Sequence, residues 1–212
     1  MACCCVSGNV DLLVLPEVDF DKQAFLAEVQ KKFDEKGECY IVVSEGAHYA
    51  NGAYVSAGET AHDGFAHAVL GGAGAVIKQM IIDAGIVLRG IVQDLSRAAR
   101  SSNFAQSMVD VTEAYELGMS AHMRSGNPAF TAQVVGVKRG SDAQGNYNAQ
   151  YFAGPASKFA NVVKHFPKEW ILPNYQGITK EALAYFEPLM EGEPKLIIEG
   201  FMPATLIPFN KR

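Results

Sequence analysis

The sequence predicts an α/β fold built on a parallel sheet, from the following pattern near its start. Two short apolar runs, Asp11–Leu15 (DLLVL) and Tyr40–Ser44 (YIVVS), are continuous rather than alternating, as strands covered on both faces are. Between them Phe25, Leu26, Val29 and Phe33 recur at helical spacing. The connections are short, so strand, helix and strand form one βαβ unit, whose crossover is expected to be right-handed.

Each element has its own signals. Ala2–Val6 is small and apolar and has no cap before it, so Met1–Val6 reads as the end of a buried helix, closed by Ser7-Gly8-Asn9. This start is expected to follow a missing upstream half. Pro16 bounds the first strand, Asp19 and Asp21 offer helix-start carboxylates, and Gly37 closes the helix. In open α/β sheets ligands bind beyond the C-terminal strand ends. Pro16-Glu17 and Ser44-Glu45-Gly46 occupy two such ends. His48–Thr60 reads as a mobile surface loop, Val76–Ala84 as a helix and Val87–Val92 as a third strand. The Gly71-Gly72-Ala73-Gly74 run reads as close helix packing, since no strand precedes it and no Lys-Ser/Thr pair follows.

Further on, Val109, Val111, Ala114, Leu117 and Ala121 predict a helix ending near Gly126. Ala132–Val137 is strand-like, and Asp142 and Gly145 supply the turn chemistry of a hairpin. Phe152–Val163 reads as partly helical, and Pro167–Trp170 begins a surface segment. A helix over Thr179–Met190 is capped by Thr179 and ended or kinked by Pro188. No internal repeat or low-complexity tract is visible.

The 212 residues are 49% hydrophobic and 19% charged, which describes a globular chain with ample material for a core. A net charge of −5 disfavours non-specific nucleic-acid binding. No apolar run reaches the length of a membrane span, and no basic region marks a signal peptide. The cysteines are Cys3, Cys4, Cys5 and Cys39. Three are consecutive and none has zinc spacing, so reduced thiols in a cytoplasmic protein are expected, with a metal tract at Cys3–Cys5 as the alternative.

Charge is concentrated in Leu88–Gly118, where Arg89, Arg97 and Arg100 fall within twelve positions just ahead of a helix. Guanidinium forks and helix-start N–H groups both suit phosphate. A solvated basic turn is the other reading, with Arg89 paired to Asp83 or Asp94. Glu45 reads as a strand-end ligand contact or a solvated carboxylate, Glu17 as structural or surface, and His67 as a packed histidine. His48, His62, His122 and His165 lack metal-ligand spacing.

Taken in order, several segments resemble the phosphofructokinases of the pyrophosphate-dependent type. Pro16-Glu17 and Ile41–Gly46 are similar to two strand ends of that family. Asp63, Phe65, His67, Leu70, Gly71, Gly72 and Gly74 are similar to its D-x-F-G-H-x-x-L-G-G-x-G run, with Ala66 in place of a glycine. Leu88-Arg89, then Gln106-Ser107, Asp110, Glu113, Ala114, Tyr115 and Gly118, then Phe159–Lys164, Pro167–Ile171, Gly177–Thr179 and Tyr185–Glu193 follow in the family's order.

The resemblance implies a three-layer α/β sandwich with a mostly parallel sheet. Residues 1–212 would form its C-terminal, sugar-phosphate-binding half, with a sub-boundary near residues 90–100. It implies phosphoryl transfer to the 1-hydroxyl of fructose 6-phosphate with Mg²⁺, whose ligands are not in this chain. The family's donor loop and catalytic aspartate motif are also absent, so no catalytic and no metal-ligating residue is assigned. Carried over by position, Glu45 would accept hydrogen bonds from sugar hydroxyls, and Arg89 and Arg100 would contact phosphate. Arg97 is a further possibility. It stands in a Tyr/His slot of the family and Ala99 in a Gln slot, a departure that also fits a non-catalytic subunit. The expected partners are fructose 6-phosphate and either further copies of the chain or a complementing N-terminal half. A regulatory or assembly subunit, or a truncated remnant exposing apolar surface, are the alternatives.

Overall fold

Leu12, Leu13, Val14 and Leu15 are almost completely shielded from solvent, and both faces of this short stretch are covered. The computed structural model describes residues 5–56, 72–95, 102 and 105–204. It divides into two units: Met1–Asp94 with Lys164–Phe186, and Leu95–Val163 with Glu187–Arg212.

In the first unit, β1 (Leu12–Val14) and β2 (Ile41–Val43) pair in parallel, Leu12 opposite Ile41 and Val14 opposite Val43. Between them runs α1 (Lys22–Lys36). Asp21 caps it, its Oδ1 accepting from Gln23 N (2.8 Å) and Ala24 N (3.0 Å). Gly37, at φ 76°, closes it in the left-handed conformation that a side chain would strain.

Side-chain alternation sorts the core into layers. Leu12 and Val14 join Phe25 and Val29 of α1 and Ile77 and Ile81 of α2 (Ala73–Asp83) in one cluster. Leu13 and Leu15 join Ile178 and Ala182, the latter from α4 (Lys180–Phe186), in another. Helices therefore lie on both sides of the strand pair, the three-layer α/β arrangement expected. Burial of a side chain the size of Phe25 contributes about 1.5–3 kcal/mol.

Four expectations change in this unit. β2 is half-buried rather than buried, because among the described residues it is paired on one side only. Of the predicted loop His48–Thr60, the described part up to residue 56 is not loose, and residues 57–60 lie outside the described residues. Tyr49 N bonds Ala53 O, Phe20 N bonds His48 O, and Ala47 and Val55 are core. Val87–Val92 is no strand: it lacks a partner strand among the described residues and leaves Leu88 97% and Ile91 98% exposed. The predicted C-terminal helix stops at Phe186, and Glu187–Met190, containing Pro188, tightens to a 3₁₀ turn.

In the second unit, α3 (Met108–Arg124) begins at Ser107, whose Oγ accepts from Asp110 N (3.0 Å). An antiparallel hairpin joins β3 (Gln133–Ser141) to β4 (Tyr147–Pro155). Asp142 Oδ1 holds its turn, accepting from Gln144 N (2.9 Å) and Asn146 N (2.8 Å), with Gly145 at φ 86°. Part of the predicted Phe152–Val163 helix is strand instead, since β4 pairs with β3 as far as Pro155; the 3₁₀ turn Ala156–Lys158 follows. Tyr147 donates to Glu113 Oε1 on α3. Burial and the Glu116 carboxylate push the Tyr151 hydroxyl up to about 12. A short ribbon pairs β5 (Ile198–Glu199) with β6 (Met202–Pro203).

Candidate functional site

The two C-terminal strand ends meet. A Cβ on Gly46 would stand 3.4 Å from Pro16 Cβ, so Pro16-Glu17 and Ser44-Glu45-Gly46 form one rim of the first unit. Glu17 turns inward from that rim: its Oε1 accepts from Phe166 N (3.0 Å) and fastens the 164–186 segment to β1. Its other oxygen is buried without a partner. Glu17 thus has the structural place expected of it.

Glu45 turns toward α2. Its Oε2 accepts from Ala73 N, the first helical N–H, at 3.2 Å. Gly72, the N-cap residue of α2, carries no side chain and sits at φ 89°. The cap that α2 cannot make locally is therefore supplied from the end of β2. A carboxylate there meets both an unpaired N–H and the positive end of the helix dipole. Glu45 remains an exposed residue, and only one of its oxygens is engaged in this bond.

Arg89 is also exposed, on the segment that runs back along α2. A Cβ on Gly90 would meet Lys78 Cγ at 3.1 Å, and one on Gly74 would meet Val92 Cγ1 at 3.1 Å. Close packing of the glycine run is thus real at Gly74. Glu45 contacts the helix at residue 73 and Gly90 contacts it at residue 78. At about 1.5 Å per residue the two positions differ by roughly 8 Å of helix. Glu45 and Arg89 share a helix, then, without forming an ion pair. Arg89 is not paired with Asp83 either, whose Oδ1 accepts from Gln79 Nε2 (2.7 Å). Arg97, Arg100 and His67 lie outside the described residues, as do Cys3 and Cys4.

Among the described residues no three His, Cys, Asp or Glu side chains converge on one point. Neither Cys5 nor Cys39 is in a disulfide, and burial pushes the Cys39 thiol up to about 11. No helix among the described residues is long and apolar enough to cross a membrane.

Sequence reasoning missed two features of this region: that Glu45 caps α2, and that the Tyr175 hydroxyl, bonded to both backbone groups of Asp21, anchors the start of α1. The first had a signal. A glycine at the N-cap of an apolar helix leaves a donor for some other side chain to meet.

The chain is 35% identical to the pyrophosphate–fructose 6-phosphate 1-phosphotransferase of Halomonas elongata, over 91% of its own length and 45% of that protein's. It is 35% identical to the one of Methylococcus capsulatus, over 91% and 44%. The crystal structure of the pyrophosphate-dependent phosphofructokinase of Nitrosospira multiformis superposes with a TM-score of 0.65 at 28% identity, covering 91% of this chain and 43% of that one. The enzyme of the same name from Marinobacter aquaeolei gives 0.66 at 25%, covering 92% and 44%. No family model matches. The chain spans a little under half the length of these relatives. In sequence and in fold it is similar to the pyrophosphate-dependent phosphofructokinases, as a partial, C-terminal-type match.

Proposed function

We propose that this chain supplies the fructose 6-phosphate-binding portion of a pyrophosphate-dependent 6-phosphofructokinase in the cytoplasm, and that it turns over no substrate alone. The single observation that carries the reading is Glu45. It is a carboxylate at a parallel strand end, where α/β sheets bind ligands, with one oxygen fixed by the Ala73 N–H. The other oxygen is available to accept a sugar hydroxyl. Fixing the carboxylate through a backbone bond lowers the ordering cost of that contact.

Arg89, with Arg100 and Arg97 on the following stretch, provides guanidinium charge for the phosphate of the sugar. When bound, magnesium would neutralise charge on the transferred phosphoryl group. The residues of this chain bind and orient the acceptor sugar, while the donor site and the general base lie elsewhere.

The test is titration calorimetry with fructose 6-phosphate, alongside an assay for turnover with pyrophosphate or ATP. Saturable binding weakened at least tenfold by Glu45→Ala and by Arg89→Ala, with no turnover, is the expected result. Turnover by the purified chain, or binding indifferent to both substitutions, would refute it. A second reading is a non-catalytic regulatory or assembly subunit. It is favoured by Arg97 and Ala99 standing where the resemblance leads one to expect Tyr/His and Gln. Absence of sugar-phosphate binding together with a stable complex with a full-length relative would support it.

A further inference from the structure

Helix α3 carries apolar residues on two sides. The side that faces the hairpin carries half-buried Val109, Glu113, Leu117, Ser120 and Arg124. Glu113 accepts from Tyr147 of β4, and Arg124 Nη1 donates to Ser120 O (2.8 Å). At about 100° per residue these positions span roughly 80° of the helix. A second stripe of about 120° lies apart from them and carries Met108, Val111, Tyr115, Met119 and Met123, with Thr112 and His122 among them. These residues are all exposed, Tyr115 to 69% and Met123 to 79%. No residue of α3 is buried.

A 17-residue helix that turns Val109 and Leu117 inward beside Glu113, Ser120 and Arg124, with a methionine–tyrosine stripe outward, leaves much of its apolar surface exposed. Exposed apolar surface concentrated in this way marks an interface. Methionine, flexible and polarisable, and tyrosine are residue types that interfaces favour. The relatives indicate the occupant, because the matched stretch is 43–45% of their length in both the sequence and the structural comparisons.

We infer that the Met108–Met123 stripe of α3 is a seam against which the remaining half of a phosphofructokinase-like fold packs, whether that half lies in the same polypeptide or in another. The inference rests on the family reading of the proposed function, but not on sugar binding, which is measured separately.

The experiment co-expresses the 212-residue chain with a tagged polypeptide comprising the Halomonas elongata relative's residues outside the matched stretch. Its companion is a single-chain chimera of that relative carrying these 212 residues in place of its matched stretch. Hydrogen peroxide oxidises exposed methionines to sulfoxide, so Met119 and Met123 report the seam directly. Rapid oxidation of both in the isolated chain is expected, slowed at least tenfold in the co-purified complex or the chimera. Tyr115→Lys and Met119→Lys change only exposed positions. They should cut recovery of the complex at least tenfold while leaving the chain's circular dichroism unchanged. The inference falls if both methionines oxidise as fast in the chimera as in the chain. It falls equally if the lysine variants assemble normally, or if the isolated chain already protects the stripe, by self-association or otherwise. Sugar-phosphate binding that survives any of these outcomes would leave the functional proposal standing without it.

Discussion

The Tyr175 hydroxyl engages both backbone groups of Asp21. Asp21 N–H donates to it at 2.8 Å, and it donates to the Asp21 carbonyl at 3.2 Å, across 154 residues of sequence. The same residue's carbonyl accepts from Leu13 N on β1 (2.7 Å), and its ring packs edge-on to Phe25. Tyr175 does this from a left-handed backbone, φ 61°, beside Asn174 at 55° in a tight turn closed by Gln176 N to Pro173 O. A bulky residue held there stores on the order of 1–3 kcal/mol of strain, which its contacts must outweigh. Tyr175→Phe keeps the ring and removes both hydroxyl bonds. It should destabilise the first unit by about 1–2 kcal/mol. Hydrogen exchange checks this: the Asp21 amide should lose protection and the first-turn amides of α1 should exchange faster. Unchanged protection would mean that the ring alone does the anchoring.

Glu45 separates two roles by substitution. Glu45→Ala removes the acceptor for Ala73 N–H, so the first turn of α2 should fray, at a cost of about 1 kcal/mol. Glu45→Gln retains an acceptor oxygen but gives up the charge at the helix start, worth roughly 0.3–1 kcal/mol. Amide exchange over Ala73–Val76 should therefore rank wild type, Gln and Ala in order of decreasing protection. If sugar-phosphate affinity follows the same order with the same spacing, Glu45 acts only through the helix. A loss of affinity in Glu45→Gln beyond the helix effect indicates direct contact with the sugar.

The sequence marked the local punctuation well, because those signals are backbone chemistry. Asp21 and Gly37 bound α1, Thr179 and Pro188 bound α4 and its 3₁₀ extension, and Asp142 and Gly145 make the hairpin turn. Exposure was less legible. Val87–Val92 has the composition of a strand, yet it lies along α2 where Gly74 and Gly90 allow close approach, with Val87 packed against the core and Leu88 and Ile91 left outside. Apolar character alone cannot distinguish a paired strand from an extended segment lying on a helix. Tyr175 was unreadable for a similar reason. Left-handed backbone in a non-glycine residue leaves no mark in composition, and its partner is 154 positions away. In the candidate site, Glu45 was found at its strand end, while its bond to Ala73 depends on how α2 packs and has no counterpart in spacing.

The hairpin supplies a packing test. Gly136 lies opposite Phe152, and a Cβ there would meet the Phe152 ring at 2.6 Å. The Phe152 ring packs on Phe159, with centroids 5.7 Å apart, and Phe159 in turn covers Gly154. An aromatic side chain shielding a cross-strand glycine recovers apolar contact that the glycine cannot offer. Gly136→Ala should displace the ring and destabilise the second unit by roughly 1–3 kcal/mol. The expected sign is loss of the Phe152–Phe159 contact in NMR, with hairpin amides exchanging faster. Retention of the contact with unchanged exchange would show that the ring can shift at no cost.

A last prediction concerns acid. Asp11 is 8% exposed and accepts from Lys36 Nζ and from Tyr40 N (2.8 Å), tying the start of β1 to the end of α1. Burial opposes its ionisation, but the Lys36 ammonium and the Tyr40 N–H more than offset this and hold the carboxyl below its ordinary value. The bond to Asp11 likewise raises Lys36. A depressed carboxyl stabilises the fold above its unfolded pKa, about 3.9, and that contribution disappears as pH falls through the folded value. A raised ammonium stabilises below about 10.4 and is lost as pH climbs through the folded value. The tie should hold between these limits. Asp11→Asn should lower stability by an amount near the bottom of about 1.5–3 kcal/mol at neutral pH, because Lys36 is solvent-screened. Denaturant melts of both proteins should stay separated from pH 5 to 9 and converge below pH 4. A gap that persists into strong acid would mean that the substitution acts through packing rather than charge.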